Sequence, residues 1–318
     1  MKKLILLVLC LTLCLAAAVY PANAEEKTYK VGVCQLVQHT ALDAATQGFV
    51  DTLNDLLGDK VTIEVQNASG DSATCITIIN NLLAKNVDLI MANATPALQA
   101  ASAATGDVPI LGTSVTDYAT ALDISDWTGT SGFNVSGTSD LAPLDGQAAI
   151  IQELFPDAKK VGLIYCSAEA NSAYQINVIK GYLTEMGYEC EEFAFTDSND
   201  VASVVESACA SSDVLYIPTD NTAASCTEAI RNVIEVAKMP VVAGEEGICS
   251  GCGVATLSIS YYELGVETAK MAYEILVNGA DVSTMPVAFA PTFTKEYNKE
   301  LCELLGITVP DDYKVIGE

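Results

Sequence analysis

Short apolar runs alternate with stretches of helical spacing along most of this chain, and that order constrains the fold more than any single residue. Tyr29 to Cys34 reads as a strand, Thr40 to Leu57 as an amphipathic helix, Val61 to Val65 as a strand, Ser72 to Lys85 as a helix and Val87 to Met91 as a strand. Thr95 to Thr105 (helix) and Pro109 to Gly112 (strand) continue the series. Thr113 to Ser139 is rich in Ser, Thr, Gly and Asp, with one apolar island near Phe133, and reads as a boundary between lobes. A second series begins at Leu141 to Phe155 (helix). It runs through Lys160 to Cys166, Asn171 to Met186, Glu189 to Phe195, Val201 to Ala210, Val214 to Ile217, Thr222 to Ala237 and Pro240 to Val242, alternating strand and helix. Two βα arrays in tandem predict an α/β protein of two doubly wound parallel-sheet lobes.

Tyr261 to Gly279 (helix), Met285 to Phe293 (strand) and Lys295 to Leu305 (helix) follow the second array, so the chain is expected to cross between lobes more than once. The expected limits are 28–138 plus 259–284 for lobe one and 139–258 plus 285–318 for lobe two, with a multi-strand hinge near Ser139, Ser258 and Met285.

At the N-terminus, Met1-Lys2-Lys3, an apolar run from Leu4 to Tyr20 and Pro21-Ala22-Asn23-Ala24 read as a cleavable export signal over 1–24, cut near Ala24. Cys10 and Cys14 each follow a leucine, where a lipoprotein cleavage box needs a small residue, so a soluble periplasmic or extracellular product is expected rather than a lipid-anchored one. No later segment is apolar for a bilayer's thickness. The formal charge is −26, and −28 once Lys2 and Lys3 leave. Nucleic acid is thereby set aside as a partner, since phosphate binding needs clustered Lys and Arg.

Nine cysteines remain after the signal, an odd number that leaves at least one free thiol. Most lie in apolar runs, where Cys acts as a small hydrophobe, and so many thiols in an exported chain hint at a low-oxygen habitat. Cys249-Ser-Gly-Cys252 is the one close pair. It reads first as a loop disulfide or two inert thiols, and a thiol oxidoreductase using Cys249 and Cys252 is the rival reading. With His39 as the only histidine and no second CxxC, no metal site is expected.

In each series the first strand ends in a polar loop before a long helix: Gln35 to Thr40 in the first, Ser167 to Ser172 in the second. Ala92-Asn93-Ala94-Thr95-Pro96 and Pro218-Thr219-Asp220-Asn221-Thr222 correspond in the same way. In open α/β sheets ligands bind at such strand ends. No nucleophile elbow or phosphate-cradling glycine loop is present, so neither an enzyme nor a nucleotide cofactor is expected. The loops offer carboxylates (Glu169, Asp220), amides and hydroxyls (Asn171, Ser172, Asn221, Thr95, Ser114) and almost no cations. This set suits a zwitterion. Glu169 and Asp220 are the candidates for an ammonium, and helix N-termini for a carboxylate. Helix capping is the alternative role for Asp220, for His39 and for the Asn171-Ser172 pair.

These loops carry a resemblance. Gln38-His39-Thr40-Ala41-Leu42-Asp43-Ala44-Ala45, Asn67-Ala68-Ser69-Gly70-Asp71, Ala94-Thr95-Pro96-Ala97, Thr116-Asp117, Ser136-Gly137-Thr138-Ser139-Asp140, Glu169-Ala170-Asn171-Ser172, Pro218-Thr219-Asp220-Asn221-Thr222 and Tyr261-Tyr262-Glu263-Leu264-Gly265 stand in order over nearly all of the mature chain. Together they resemble the tryptophan/tyrosine-type substrate-binding proteins of ABC transporters, with the type I periplasmic-binding-protein fold. The resemblance implies a monomer that closes on an amino acid, most often aromatic (Trp, Tyr or Phe) and next branched aliphatic, without catalysis. It implies a cognate permease and ATPase as partners and contact with the membrane only through the permease. By position, His39, Thr95, Thr116 and Asp117 face the ligand from lobe one, and Glu169, Asn171, Ser172, Asp220 and Asn221 from lobe two. Tyr261 stands at a lobe crossing. Two departures stand out: Tyr118 where the family has proline, which bears on the side-chain pocket, and the Cys-rich segment Cys249 to Gly253. A ligand-sensing receptor domain is a further reading, without a DNA-binding head to support it.

Overall fold

The structure, a computed structural model, describes residues 27–317. The export signal expected over 1–24 lies outside the described residues. The first array runs β1 (Tyr29–Gln35), α1 (Thr40–Leu57), β2 (Val61–Asn67), α2 (Ser72–Ala84), β3 (Leu89–Asn93), α3 (Thr95–Ala104), β4 (Ile110–Val115), α4 (Tyr118–Ala121) and β5 (Val135–Ser139). The second runs α5 (Leu144–Leu154), β6 (Lys160–Cys166), α6 (Ala170–Glu185), β7 (Glu189–Phe195), α7 (Val201–Ser211), β8 (Val214–Ile217), α8 (Asn221–Ser225), α9 (Thr227–Ala237), β9 (Val241–Ala243), α10 (Glu246–Cys252) and β10 (Ala255–Ser258). The chain closes with α11 (Tyr261–Leu276), β11 (Ala288–Phe289), β12 (Thr294–Tyr297), α12 (Lys299–Leu305) and β13 (Lys314–Val315).

One sheet has the strand order β11-β5-β4-β3-β1-β2 and the other β13-β12-β10-β9-β8-β6-β7. Their central orders correspond strand for strand, and every pairing is parallel except that of β10 with β12. Parallel sheets need both faces covered, and the strand pattern supplies two apolar faces. In lobe one Val31, Val33, Leu89 and Met91 pack toward α1 and α11, while Cys34, Ile90 and Ala92 pack toward α2 and α3. In lobe two Val161 and Leu163 serve one face, Ile164 and Cys166 the other.

Several elements differ from expectation. The polar boundary Thr113 to Ser139 holds a short helix and the buried strand β5, whose sequence Val-Ser-Gly-Thr-Ser carries almost no apolar signal. Its hydroxyls are satisfied inside the core instead: Thr138 Oγ1 lies 3.1 Å from Thr113 Oγ1 and 2.8 Å from Thr268 Oγ1. The helix expected over Thr222 to Ala237 is broken at Cys226 into α8 and α9. The strand expected over Met285 to Phe293 is only the two-residue β11, paired with β5 in lobe one. The start of the helix expected over Lys295 to Leu305 is instead β12, paired with β10 in lobe two, so that α12 begins at Lys299. The third crossing therefore falls after Phe289, not at Met285, and residues 285–289 stay with the first sheet. The Cys-rich segment is the helix α10, not a loop.

Helix α11 returns to lobe one after the chain has built most of lobe two, and it lies directly on α1. A Cβ on Gly265 would come within 2.0 Å of the Ala45 carbonyl oxygen, and one on Gly48 within 2.1 Å of the Tyr262 carbonyl oxygen. The two helices touch backbone to backbone there, which only glycine permits. Gly265→Ala is expected to destabilise the protein by about 2–3 kcal/mol through overpacking. Gly181→Ala, in α6 with open space around it, should stabilise it by about 0.5–1 kcal/mol. Urea midpoints measure both, and equal midpoints for the two variants would refute the close-packing argument.

Candidate functional site

Strand order reverses between β1 and β3 in lobe one and between β6 and β8 in lobe two. At such switch points the loops diverge and leave a crevice at the carboxyl ends of the strands. Lobe one brings His39, Thr95 and Ser114 to Asp117 to this edge; lobe two brings Glu169 to Ser172 and Thr219 to Thr222. Two non-glycine residues here hold positive φ, Ala94 at 87° and Ser114 at 52°. Strain of this kind persists where surrounding structure enforces it, and it collects at binding sites.

Glu169 is buried and fully engaged. One carboxylate oxygen accepts from the Asn221 N–H (3.1 Å), Asn221 Nδ2 (2.6 Å) and Asn171 Nδ2 (3.2 Å); the other accepts from the Thr222 N–H (2.8 Å) and Thr222 Oγ1 (2.7 Å). It thus caps α8 from a different strand's loop. Asp220 caps the same helix through the Ala223 N–H (2.8 Å) and reaches across to the Cys166 N–H at the end of β6 (2.7 Å). Burial and the neighbouring Glu169 charge push the Asp220 carboxyl up. Both acids expected to meet an ammonium are therefore committed to backbone donors, which is the capping alternative for Asp220 realised. Asn171 and Ser172 lie inside the first turn of α6 rather than capping it; the N-cap is Glu169 itself, whose side chain leaves that turn uncapped.

The two lobes meet through one hydrogen-bonded chain. From lobe one, Tyr261 OH donates to Asp140 Oδ2 (3.0 Å) and Thr116 Oγ1 to Asp140 Oδ1 (3.0 Å). Gln175 Nε2 of α6 reaches Thr116 Oγ1 (3.4 Å) and the Thr219 carbonyl (3.1 Å), which also accepts from Asn171 Nδ2 (3.2 Å). At the far end His39 Nε2 lies 3.4 Å from Asn221 Oδ1. His39 occupies the N-cap position of α1 without capping it. Burial lowers its pKa, against the opposing pull of Asn221, Glu169 and Asp43, so the ring is neutral near pH 7. Asp117 caps α4 through the Thr120 N–H (2.7 Å) and lies close to Tyr174 of α6, half-exposed at the lip of the cleft.

Four buried polar atoms along this edge have no partner: His39 Nδ1, Asn93 Oδ1, Ser114 Oγ and Asn171 Oδ1. Buried polar atoms are nearly always satisfied, so such a set marks a place that something else fills. Toward the mouth, a cavity of about 230 Å³ separates Leu36, Val37 and Pro96 of lobe one from Ala168, Glu169 and Asn221 of lobe two. A larger one, about 500 Å³, lies away from the cleft against α11 and Phe289.

Of the ten site residues expected from sequence, Thr116, Asp117, Glu169, Asn171, Ser172, Asp220, Asn221, His39 and Tyr261 share this hydrogen-bonded edge, and Thr95 opens α3 beside it. Missed were Asp140 and Gln175. Gln175 was readable as one helical turn beyond Asn171; Asp140 lay in a loop with nothing to mark its burial. Tyr118 does not reach the cleft. It turns into the core of lobe one, stacks on Trp127 with centroids 6.2 Å apart and donates to the Thr138 carbonyl (3.1 Å). Among the described residues all nine cysteines are free thiols. Cys249 and Cys252 are fully buried on α10 with their pKa values raised, chiefly by desolvation, the opposite of a reactive thiolate. Among the described residues no group of three or more His, Cys, Asp or Glu side chains is placed to hold a metal, and no helix is long and apolar enough to cross a membrane.

Comparison with known proteins fits this geometry. A family profile described as ABC transporter substrate binding protein matches residues 30–316. The chain belongs to that family. It is 37% identical over 266 residues to a tyrosine-binding protein of Clostridioides difficile (strain R20291), spanning 83% of this chain and 76% of the relative. An ABC domain from Streptococcus pneumoniae in complex with L-Trp, 33% identical, superposes with a TM-score of 0.86 over 90% of this chain and 97% of that one. A ligand-free, open substrate-binding protein with adhesive properties from Clostridium difficile, 36% identical, gives 0.70 over 91% and 99%. At similar identity, this chain as a whole superposes more closely on the L-Trp complex than on the open protein. Membership makes the chain the extracytoplasmic solute-binding component of an ABC transporter, working with a permease and an ATPase. The oxidoreductase reading finds no support.

Burial pushes the carboxyl of Asp140 up to about 6 and that of Glu245, the cap of α10, up to about 7. A folded-state pKa above the unfolded value near 4 means that the folded chain holds these protons more tightly. Their contribution is fully present below pH 4 and is lost as pH rises through 6 to 7. Urea midpoints of the ligand-free protein should therefore fall between pH 5 and pH 8, and Glu245→Gln should flatten the fall. A midpoint that rises over this window would contradict the burial argument.

Proposed function

We propose that this transport receptor captures a free aromatic amino acid, tryptophan, tyrosine or phenylalanine, between its two lobes. The observation that carries the reading is the set of unpartnered buried polar atoms on both lobes of a cleft that has no Lys or Arg in its loops. A zwitterion satisfies such a site without bringing net charge into it, whereas an anion meets only carboxylates and their field. The two relatives whose names or complexes involve tyrosine and tryptophan support the aromatic class. In this reading the ligand carboxylate rests on the uncapped N-termini of α3, whose N-cap is Ala94, and α6. Thr95, Ser114, Thr116, Asn171 and His39 contribute contacts, and Glu169, Asp220, Asn221 and Ser172 hold the frame. Asp117 and Tyr261 sit at its two ends.

The protein is exported, loses its leader near Ala24, works as a monomer and needs no cofactor or metal. It binds and releases; it does not transform. Closure rotates the lobes about the crossings at Ser139 to Asp140, Ser258 to Tyr261 and Phe289 to Thr294.

A ligand that binds only the folded chain raises its melting temperature. In a thermal-shift screen, L-tryptophan, L-tyrosine or L-phenylalanine should raise it by several degrees, while sugars and dicarboxylic amino acids should not. Stabilisation by sugars alone, or by no amino acid, would remove the specificity assignment. Replacing Cys249 and Cys252 together by Ala should lower the melting temperature yet leave ligand affinity within about twofold, because both thiols lie in the core. A binding loss beyond tenfold in that variant would return the CxxC pair to consideration.

A further inference from the structure

Four carboxylates are buried along the interlobe edge, and they differ in what holds them. Glu169 accepts five hydrogen bonds, two of them from backbone N–H groups. Asp220 accepts from the N–H groups of Cys166 and Ala223, and Glu245 from those of Gly247 and Ile248. Asp140 has only two side-chain donors, the neutral hydroxyls of Thr116 and Tyr261, one on each oxygen, and its one backbone donor is its own N–H. A carboxylate has about four lone-pair sites, so part of its capacity is unused, and no donor from another residue's backbone reaches it.

The groups facing Asp140 offer no compensation. Tyr118 of α4 and Tyr261 of α11 sense its charge, as does Glu245 from lobe two, and each is neutral or negative. No Lys, Arg or His contact to Asp140 occurs among the described residues. A buried charge left in this condition is costly, and the chain keeps it at the first crossing between the lobes. One more acceptor in the same network is uncommitted. Asn171 Nδ2 donates to Glu169, Ser172 and Thr219, which fixes the amide orientation and leaves Oδ1 without a partner. We propose that Asp140 anchors the ammonium group of the bound amino acid, with Asn171 Oδ1 on the facing lobe as its neutral second acceptor. The assignment rests on the amino-acid reading above and names a different anchor from Glu169 and Asp220, whose oxygens are occupied by the protein itself.

An ammonium on Asp140 neutralises the one under-supplied acid in the cleft. It also draws lobe two toward the crossing through Asn171, so recognition and closure share a contact. A carboxylate held up near 6 by burial ionises when an ammonium arrives, releasing a proton to solvent at mildly acid pH.

The test compares L-tryptophan and L-tyrosine with their deamino counterparts, indole-3-propionate and 3-(4-hydroxyphenyl)propionate, by titration calorimetry. In Asp140→Asn, which keeps shape and one acceptor, amino-acid affinity should fall about 100-fold, the usual scale for stripping one partner from a buried charged contact, while the deamino acids change less than threefold. Equal losses for both classes would make Asp140 a closure strut and overturn the assignment, as would no loss at all. A second measurement needs no variant: in the unmodified chain amino-acid affinity should rise from pH 5 to pH 7 with proton release, and deamino-acid affinity should not. Parallel profiles would overturn it. An unmodified chain that binds neither amino acid removes the functional reading and this assignment together, whereas binding with parallel profiles removes only the assignment.

Discussion

The carboxylate of Glu169 is the contact on which the ligand-facing side of lobe two depends. It leaves its own helix uncapped to serve the N-terminus of α8, and Asp220 returns the link by holding the Cys166 N–H at the end of β6. Two loops from two strands thereby become one rigid edge. Hydrogen bonds to a charged acceptor are worth about 1.5–3 kcal/mol each, and buried networks of them are stable only when complete. Nearly every group in this edge is complete; the exception is Asn171 Oδ1.

Across the cleft the contacts are of another kind. Gln175 to Thr116 and His39 to Asn221 are both 3.4 Å long, at the weak end of hydrogen bonding, and neither joins two charges. The protein holds each lobe firmly and the pair loosely. In such a design the free energy that selects the closed form comes from the ligand, through contacts that exist only when both lobes are present.

The architecture was legible because strand and helix periods differ, and a sheet buried on both faces writes long apolar runs such as Leu89 to Met91 and Val161 to Tyr165. What escaped was structure without that signature. Strand β5 is buried through small residues and a relay of threonine hydroxyls, and α10 and β10 are too short to show a period. The site was legible as a set of loops, since polar residues after apolar strands announce an edge. The division of labour within it was not. Nothing in the order of residues tells that Glu169 turns back onto α8, or that Asp140 ends up buried with two hydroxyls, because both depend on which strands become neighbours. The same holds for Tyr118, whose place in the core follows from the space over Gly112 and Gly137.

The late return of α11 sets the order in which the chain becomes a protein. Ala269, Met271, Ala272 and Leu276 cover one face of the first sheet, against which Val31, Val33, Leu89 and Met91 pack. Until those residues emerge, lobe one has a bare apolar face and no complete core, although its strands β1 to β4 were made more than a hundred residues earlier. A chain delivered N-terminus first therefore cannot complete the core of lobe one until α11 has emerged. For a protein that must be threaded through a membrane before it works outside, that discontinuity acts as a built-in delay.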